Sequence, residues 1–87
     1  MMRVTIPSPL RSYTHGRAEV IASGATFAEL LEHLEAEFPG IRFRMIDEQD
    51  RIRRHIRLFV NREQVIDLSH RLRDDDEVQI ICALSGG

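Results

Sequence analysis

The stretch TFAELLEHLEAEF, Thr26 to Phe38, decides how the rest of the chain has to be arranged. Phe27, Leu30, Leu31, Leu34 and Phe38 recur at helical spacing and form one apolar stripe. Thr26 followed by Glu29 is a capping box, in which each side chain satisfies an amide that the first helical turn leaves without a partner. Pro39-Gly40 then ends the helix. Glu32, Glu35 and Glu37 lie opposite the stripe. Glu29 and Glu32 have the spacing of a catalytic carboxylate pair, but charges on the outer face of an amphipathic helix read as solvation. A helix with a single stripe needs a single apolar surface to cover, and the flanking sequence supplies it as strands.

Met2, Val4 and Ile6 alternate with Arg3 and Thr5 until Pro7-Ser8-Pro9 stops the pattern, and Ala18 to Ala22 forms a second short run before Ser23-Gly24. The two read as a hairpin with a long connection. Ile21 breaks the alternation, so the inward face of the second strand stays ambiguous. Beyond the helix, Ile41 to Ile46 reads as a short helical turn covering one end of the core. Ile56, Leu58 and Val60 alternate with Arg57, Phe59 and Asn61 as a third strand. Asn61 to Glu63 supplies turn residues and Gln64 to Ile66 a short returning strand. Asp74-Asp75-Asp76 marks a tight turn before the last strand, Glu77 to Ala83, with Val78, Ile80 and Cys82 on one face and Gln79 and Ile81 on the other. A right-handed crossover through the helix leaves the first strand inside the sheet, where the last can pair beside it. The expected fold is α+β: a β-grasp, ubiquitin-like arrangement with a mixed four- to five-stranded sheet and one main helix on one face. The expected domain spans residues 1–83, followed by a flexible Gly-Gly tail at 84–87.

Composition narrows the function. The chain has 87 residues, a formal net charge of −2 and 43% apolar residues, enough for one modest core and too little for a deep enclosed active site. The acidic balance argues against a nucleic-acid module, which would be basic. No signal-peptide core and no membrane-length apolar run is visible, so a cytoplasmic protein without membrane association is expected. A single cysteine, Cys82, excludes an internal disulfide. All 12 basic residues are arginine, so no lysine can accept an isopeptide bond, and a chain that transfers its own terminus would act only as donor.

Enzyme signatures are missing from the sequence. His15, His33, His55 and His70 have no metal-binding spacing, no glycine-rich phosphate loop occurs, and Cys82 falls on the core face of the last strand, where cysteine behaves as a small hydrophobe. The basic run Arg51 to Arg57 lacks aromatic interleaving; it reads first as a solvated strand edge and second as a docking surface for an acidic partner. If Leu58 and Val60 point under the helix, Phe59 and Ile81 must point outward, an apolar pair on a polar face and a candidate partner-binding patch. The remaining feature is the ending Leu84-Ser85-Gly86-Gly87. A backbone carboxylate is a poor electrophile at neutral pH and must be activated, typically by adenylation. A thin tail ending in two glycines is suited to entering a buried nucleotide site.

Val4-Thr5-Ile6-Pro7, Gly24-Ala25-Thr26, Val60-Asn61, Leu72 to Val78 and Gly86-Gly87, in this order, resemble the ubiquitin-like sulfur carrier proteins of the MoaD/ThiS type, over nearly the whole chain. The resemblance implies that the Gly87 carboxylate is adenylated by an E1-like enzyme using ATP and Mg, then converted to a thiocarboxylate whose sulfur goes to a biosynthetic acceptor enzyme. It gives Leu84, Ser85 and Gly86 the role of the threaded tail and Ile81 that of the surface meeting the partner. It implies a protein cosubstrate rather than an enzyme, free of bound cofactor or metal and monomeric when free. Ile6 to Arg11, Pro39-Gly40-Ile41 and Ala83 to Gly87 point toward the carriers of cysteine biosynthesis. A small subunit of molybdopterin synthase held in a lasting complex and a non-catalytic ubiquitin-like interaction module are the alternatives. The family often has glycine where this chain has Asp75, a residue that tolerates left-handed backbone. Many members have proline where it has Cys82-Ala83, which leaves the root of the tail less stiff.

Overall fold

The computed structural model describes residues 1–83. Its strands are β1 (Met2–Thr5), β2 (Glu19–Ala22), β3 (Ile56–Val60), β4 (Glu63–Val65) and β5 (Glu77–Cys82); its helices are α1 (Phe27–Glu37) and α2 (Ile41–Met45). They form one five-stranded sheet in the order β2-β1-β5-β3-β4. β5 runs parallel to β1 and antiparallel to β3, and the two outer pairs are antiparallel. This is the β-grasp arrangement that the single helix and the strand pattern require.

α1 starts where the sequence places it. Thr26 is extended at φ −134°, and its Oγ1 accepts the Glu29 N–H at 3.3 Å. The Glu29 carboxylate reaches back to the Ala25 N–H, at 3.1 Å, one residue earlier than the expected box. The first two helical amides are satisfied from outside: Phe27 N–H donates to the His70 carbonyl at 3.0 Å and Ala28 N–H to that of Leu68 at 2.9 Å. Leu68 to His70 therefore serves as the second half of the cap and ties the connection before β5 to the helix. Phe27, Leu30, Leu31 and Leu34 are buried against Met2, Val4, Val20, Ala22, Leu58, Val78 and Ile80 in a single core.

Gly24 is required by packing rather than by its backbone angles. A Cβ there would lie 2.5 Å from the backbone nitrogen of Leu30, so the chain entering α1 passes against the helix itself. His33 holds the same junction from the other side. Its Nδ1 accepts the Ser23 N–H at 3.0 Å, which leaves Nε2 to carry the proton and donate to Glu37 at 2.8 Å.

Gly40, at φ +97°, opens α2 without a side chain to cap it. Glu35 supplies the cap from α1: its carboxylate accepts the Gly40 N–H at 2.9 Å and the Arg42 N–H at 3.0 Å. These two backbone hydrogen bonds, the Gly40 bond foremost, hold the Glu35 carboxyl below its ordinary value of 4.5.

Three local readings change. Pro7-Ser8-Pro9 does more than stop β1: Ser8–Leu10 forms a 3-10 turn that buries Leu10, and the buried Thr14 hydroxyl donates to the Arg17 carbonyl at 2.8 Å. The face of β2 is resolved, with Val20 and Ala22 buried and Ile21 exposed. Asp75 needs no left-handed backbone, because the positive-φ residues of this region are Asn61 and Arg62, the two-residue turn of the β3–β4 hairpin. Asn61 also binds the start of β5, its Nδ2 donating to Asp76 at 2.8 Å and its Oδ1 accepting the Glu77 N–H at 2.9 Å.

Two outcomes follow for stability. Gly24→Ala is expected to lower the unfolding free energy in urea by about 1–3 kcal/mol, because the backbone contact has no flexible group to yield; an unchanged midpoint would mean that the junction relaxes. Glu35→Ala is expected to cost about 0.5–1 kcal/mol at neutral pH, the low part of the capping range for an exposed carboxylate. Since the folded-state pKa of Glu35 is depressed, its contribution is present above about pH 4.5 and lost as pH falls through the folded value. Denaturation curves of wild type and variant should therefore converge in acid.

Candidate functional site

The outer face of the sheet follows from the register. Phe59 sits opposite Gln79, and Ile81 opposite Arg57, which makes Phe59 and Ile81 diagonal neighbours across β3 and β5. Ile81 is 42% exposed, and Phe59 is half-buried between the buried Leu58 and Val60. The structure thus brings the two expected residues together on the face away from α1. Polar groups surround them: Thr5 and Glu19 continue the Phe59 row across β1 and β2, and Gln64 on β4 completes it. Ile66, just past β4, is 84% exposed and was not anticipated as part of an exposed apolar surface; its position in a returning strand concealed it.

The basic run lies elsewhere than expected. β3 is an interior strand between β5 and β4, so Arg57 does not protect a sheet edge, and Arg51 to His55 form the connection leading into the strand. Arg53 stacks its guanidinium 4.5 Å from the ring of the exposed Phe43 and donates Nε to the Phe43 carbonyl at 2.7 Å. Arg42 pairs with Asp50 at 3.2 Å and Arg51 with Asp47 at 3.6 Å. An open groove of about 700 Å³ runs between this connection, the Ala28 and Glu32 side of α1 and the segment after β4.

The ladder continues one step past β5, where Ala83 N–H donates to the His55 carbonyl at 2.7 Å. Arg54, His55 and Arg57 accordingly border a surface depression together with Ala83. Leu84, Ser85, Gly86 and Gly87, the residues expected to carry the chemistry, lie outside the described residues.

Cys82 occupies the core-side position expected for it and packs against the hydrophobic core while remaining partly accessible. Burial pushes its thiol up from the ordinary value, so less thiolate is present at neutral pH than on a free peptide. Among the described residues no cluster of His, Cys, Asp or Glu is placed to hold a metal ion, and no helix is long and apolar enough to cross a membrane.

Comparison with known proteins agrees with the fold. Sulfur carrier protein CysO of Mycobacterium tuberculosis and its counterpart in Mycobacterium bovis are each 36% identical to this chain, covering 97% of it and 96% of the relative. The crystal structure of Mycobacterium tuberculosis CysO superposes with a TM-score of 0.91 at 34% identity, over 97% of this chain and all of that one. A chain of the Amycolatopsis orientalis BexX/CysO complex gives 0.93 at 34% identity, with both chains covered in full. The small archaeal modifier protein 1 of Haloferax volcanii, at 24% identity and a TM-score of 0.78 over 99% and 98% of the two chains, shares the fold.

The Cys82 environment sets one expectation. Its alkylation by iodoacetamide at neutral pH should be slower than that of an unstructured cysteine peptide, and should rise to the peptide rate in denaturant; equal rates in the folded protein would contradict the buried thiol.

The ThiS family model matches residues 4–87, and with the sheet order, the helix on one face and the carrier relatives aligned from end to end, the chain belongs to the ThiS family.

Proposed function

We propose that this chain is a sulfur carrier whose Gly87 carboxylate is activated by a partner enzyme and converted to a thiocarboxylate. The observation that carries this reading is the end-to-end match to CysO sulfur carriers combined with Gly86-Gly87, which follow the last residue of β5, Cys82, after three residues. In the first step a carboxylate oxygen of Gly87 attacks the α-phosphorus of ATP, with Mg on the triphosphate, and pyrophosphate leaves. In the second a sulfur nucleophile attacks the acyl carbon of the adenylate and AMP leaves. Where that nucleophile is sulfide the thiocarboxylate forms directly; where it is a donor persulfide the product is an acyl disulfide, and a thiol reductant cleaves its S–S bond to release the thiocarboxylate and the donor thiol, after which a biosynthetic enzyme takes the sulfur.

The chain's own contribution is to present the terminus. It acts as cosubstrate, with ATP and Mg held by the E1-like partner. Phe59 and Ile81 are the apolar contact for that partner, and Arg57 beside Ile81 adds charge at the same place. With no lysine, the chain has no side-chain amine to accept an isopeptide bond, which fits a donor of its terminus. The acceptor belongs to cysteine-type rather than molybdopterin-type biosynthesis, on the strength of the CysO relatives, and ATP-dependent activation fits a cytoplasmic, free monomer. The existence of a BexX/CysO complex in Amycolatopsis orientalis supports partnership with a separate protein.

The test is the intact mass of the protein after coexpression with its host's E1-like enzyme and a sulfur source. The expected product is heavier by the difference between sulfur and oxygen, and is lost on deletion of Gly87 while the fold, read by circular dichroism, is retained. Activation of the truncated chain, or an unmodified mass with a partner active on another carrier, would reject the reading in favour of an interaction module.

A further inference from the structure

We propose that Arg54 and Arg57, at the root of the tail, form an electrostatic docking surface for an acidic rim around the entrance through which a partner enzyme receives the terminus. This rests on the carrier reading above. Four residues separate Ala83 from the end of Gly87, a span of at most about 14 Å when fully extended. So short a segment cannot deliver Gly87 to a buried nucleotide unless the partner closes onto the residues surrounding Ala83. Those residues are Arg54, His55 and Arg57, brought there by the Ala83 to His55 hydrogen bond and by the β3–β5 register.

The charge of this ring is unusual for the chain. Residues 51–57 carry four of the 12 arginines and no acidic residue, in a protein whose net charge is −2. Arg51 has Asp47 for a partner, whereas among the described residues Arg53, Arg54 and Arg57 have no carboxylate within ion-pair distance. Arg57 spends Nη1 on the carbonyls of Arg54 and Ile56, which stiffens the loop and leaves its remaining donors outward. Arg54 makes no side-chain hydrogen bond among the described residues and is exposed. Guanidinium groups held in this way favour carboxylates on a facing surface, through bidentate contacts and through steering of the encounter. A nucleic acid is the poorer occupant: Phe43, the nearby exposed ring, is already covered by Arg53, and Glu32 and Asp67 line the adjoining groove.

The experiment is ATP–pyrophosphate exchange by the host's E1-like enzyme, measured against carrier concentration at low and high salt. Wild-type KM should rise with salt, because exposed charges are screened over about 10 Å or less at 0.1 M and above. Arg54→Glu should raise KM about ten-fold or more at low salt, leave kcat within about two-fold, and approach the wild type at high salt. Arg54→Lys should retain most of the wild-type KM. Arg57→Gln, which keeps a donor for the loop carbonyls, should raise KM in the same sense. Arg71→Glu, on the bridge to Thr26 ahead of β5, should change little. An Arg54→Glu variant with wild-type KM and salt dependence, or an equal effect from Arg71→Glu, overturns the docking surface and leaves the carrier reading standing. No exchange with the wild type, by an enzyme active on another carrier, overturns both.

Discussion

The structure depends on the last strand entering the middle of the sheet. β5 is bonded on one side to β1, the first strand, and on the other to β3, so the central part of the ladder joins the two ends of the domain. Neither outer pair could assemble the core by itself, because each hairpin presents only half of the apolar surface that α1 covers. The loop-closure entropy of bringing β1 to β5 must be met before the helix finds its complete partner. Hydrogen bonds at the entry of β5, from a side chain and from the backbone, serve this join. Asn61 binds Asp76 and the Glu77 amide, and Leu68 to His70 caps α1. The segment leading into the strand is thereby attached to the β3–β4 turn and to the helix at once.

The same constraint positions the surfaces on which the proposed function rests. A terminus that follows a central strand leaves the domain beside its neighbours, so the β3 connection borders the exit while Phe59 and Ile81 sit on the adjoining face. The run from Arg51 to Arg57 contains no acidic residue, and among the described residues Arg54 and Arg57 have no carboxylate partner. Such segregation contributes little to stability, because exposed pairs are weak. In the proposed docking its effect is on association, where one sign of charge near Ala83 and apolar residues on the sheet would give a partner both a direction of approach and a surface to bury.

Much of this was legible from residue patterns. The helix, its Thr26 cap, the alternation of β1, β3 and β5, and the outward positions of Phe59 and Ile81 all rest on interactions spanning a few residues, which local periodicity records directly. The 3-10 turn after Pro7, the close approach of Gly24 to Leu30 and the Glu35 cap of α2 left weaker marks, since each depends on two segments meeting in a geometry that neither carries alone. Arg51 to Arg57 illustrates the difference most clearly. Its charge was plain, but reading it as a strand edge required β3 to be outermost, and the pairing of β3 with both β4 and β5 places it inside.

By itself, then, the amino-acid order determined the main elements, the two faces of β1, β3 and β5 and the glycine ending, because propensity, capping and alternation are short-range. Tertiary structure alone decided what lies beside what: the outward face of Ile21, the attachment of the β5 lead-in to α1, and the position of Arg54 and Arg57 at the root of the tail. These are consequences of strand order and register. Both are set by burying one continuous apolar face under a single helix, a condition that the whole chain satisfies together and no segment states in advance.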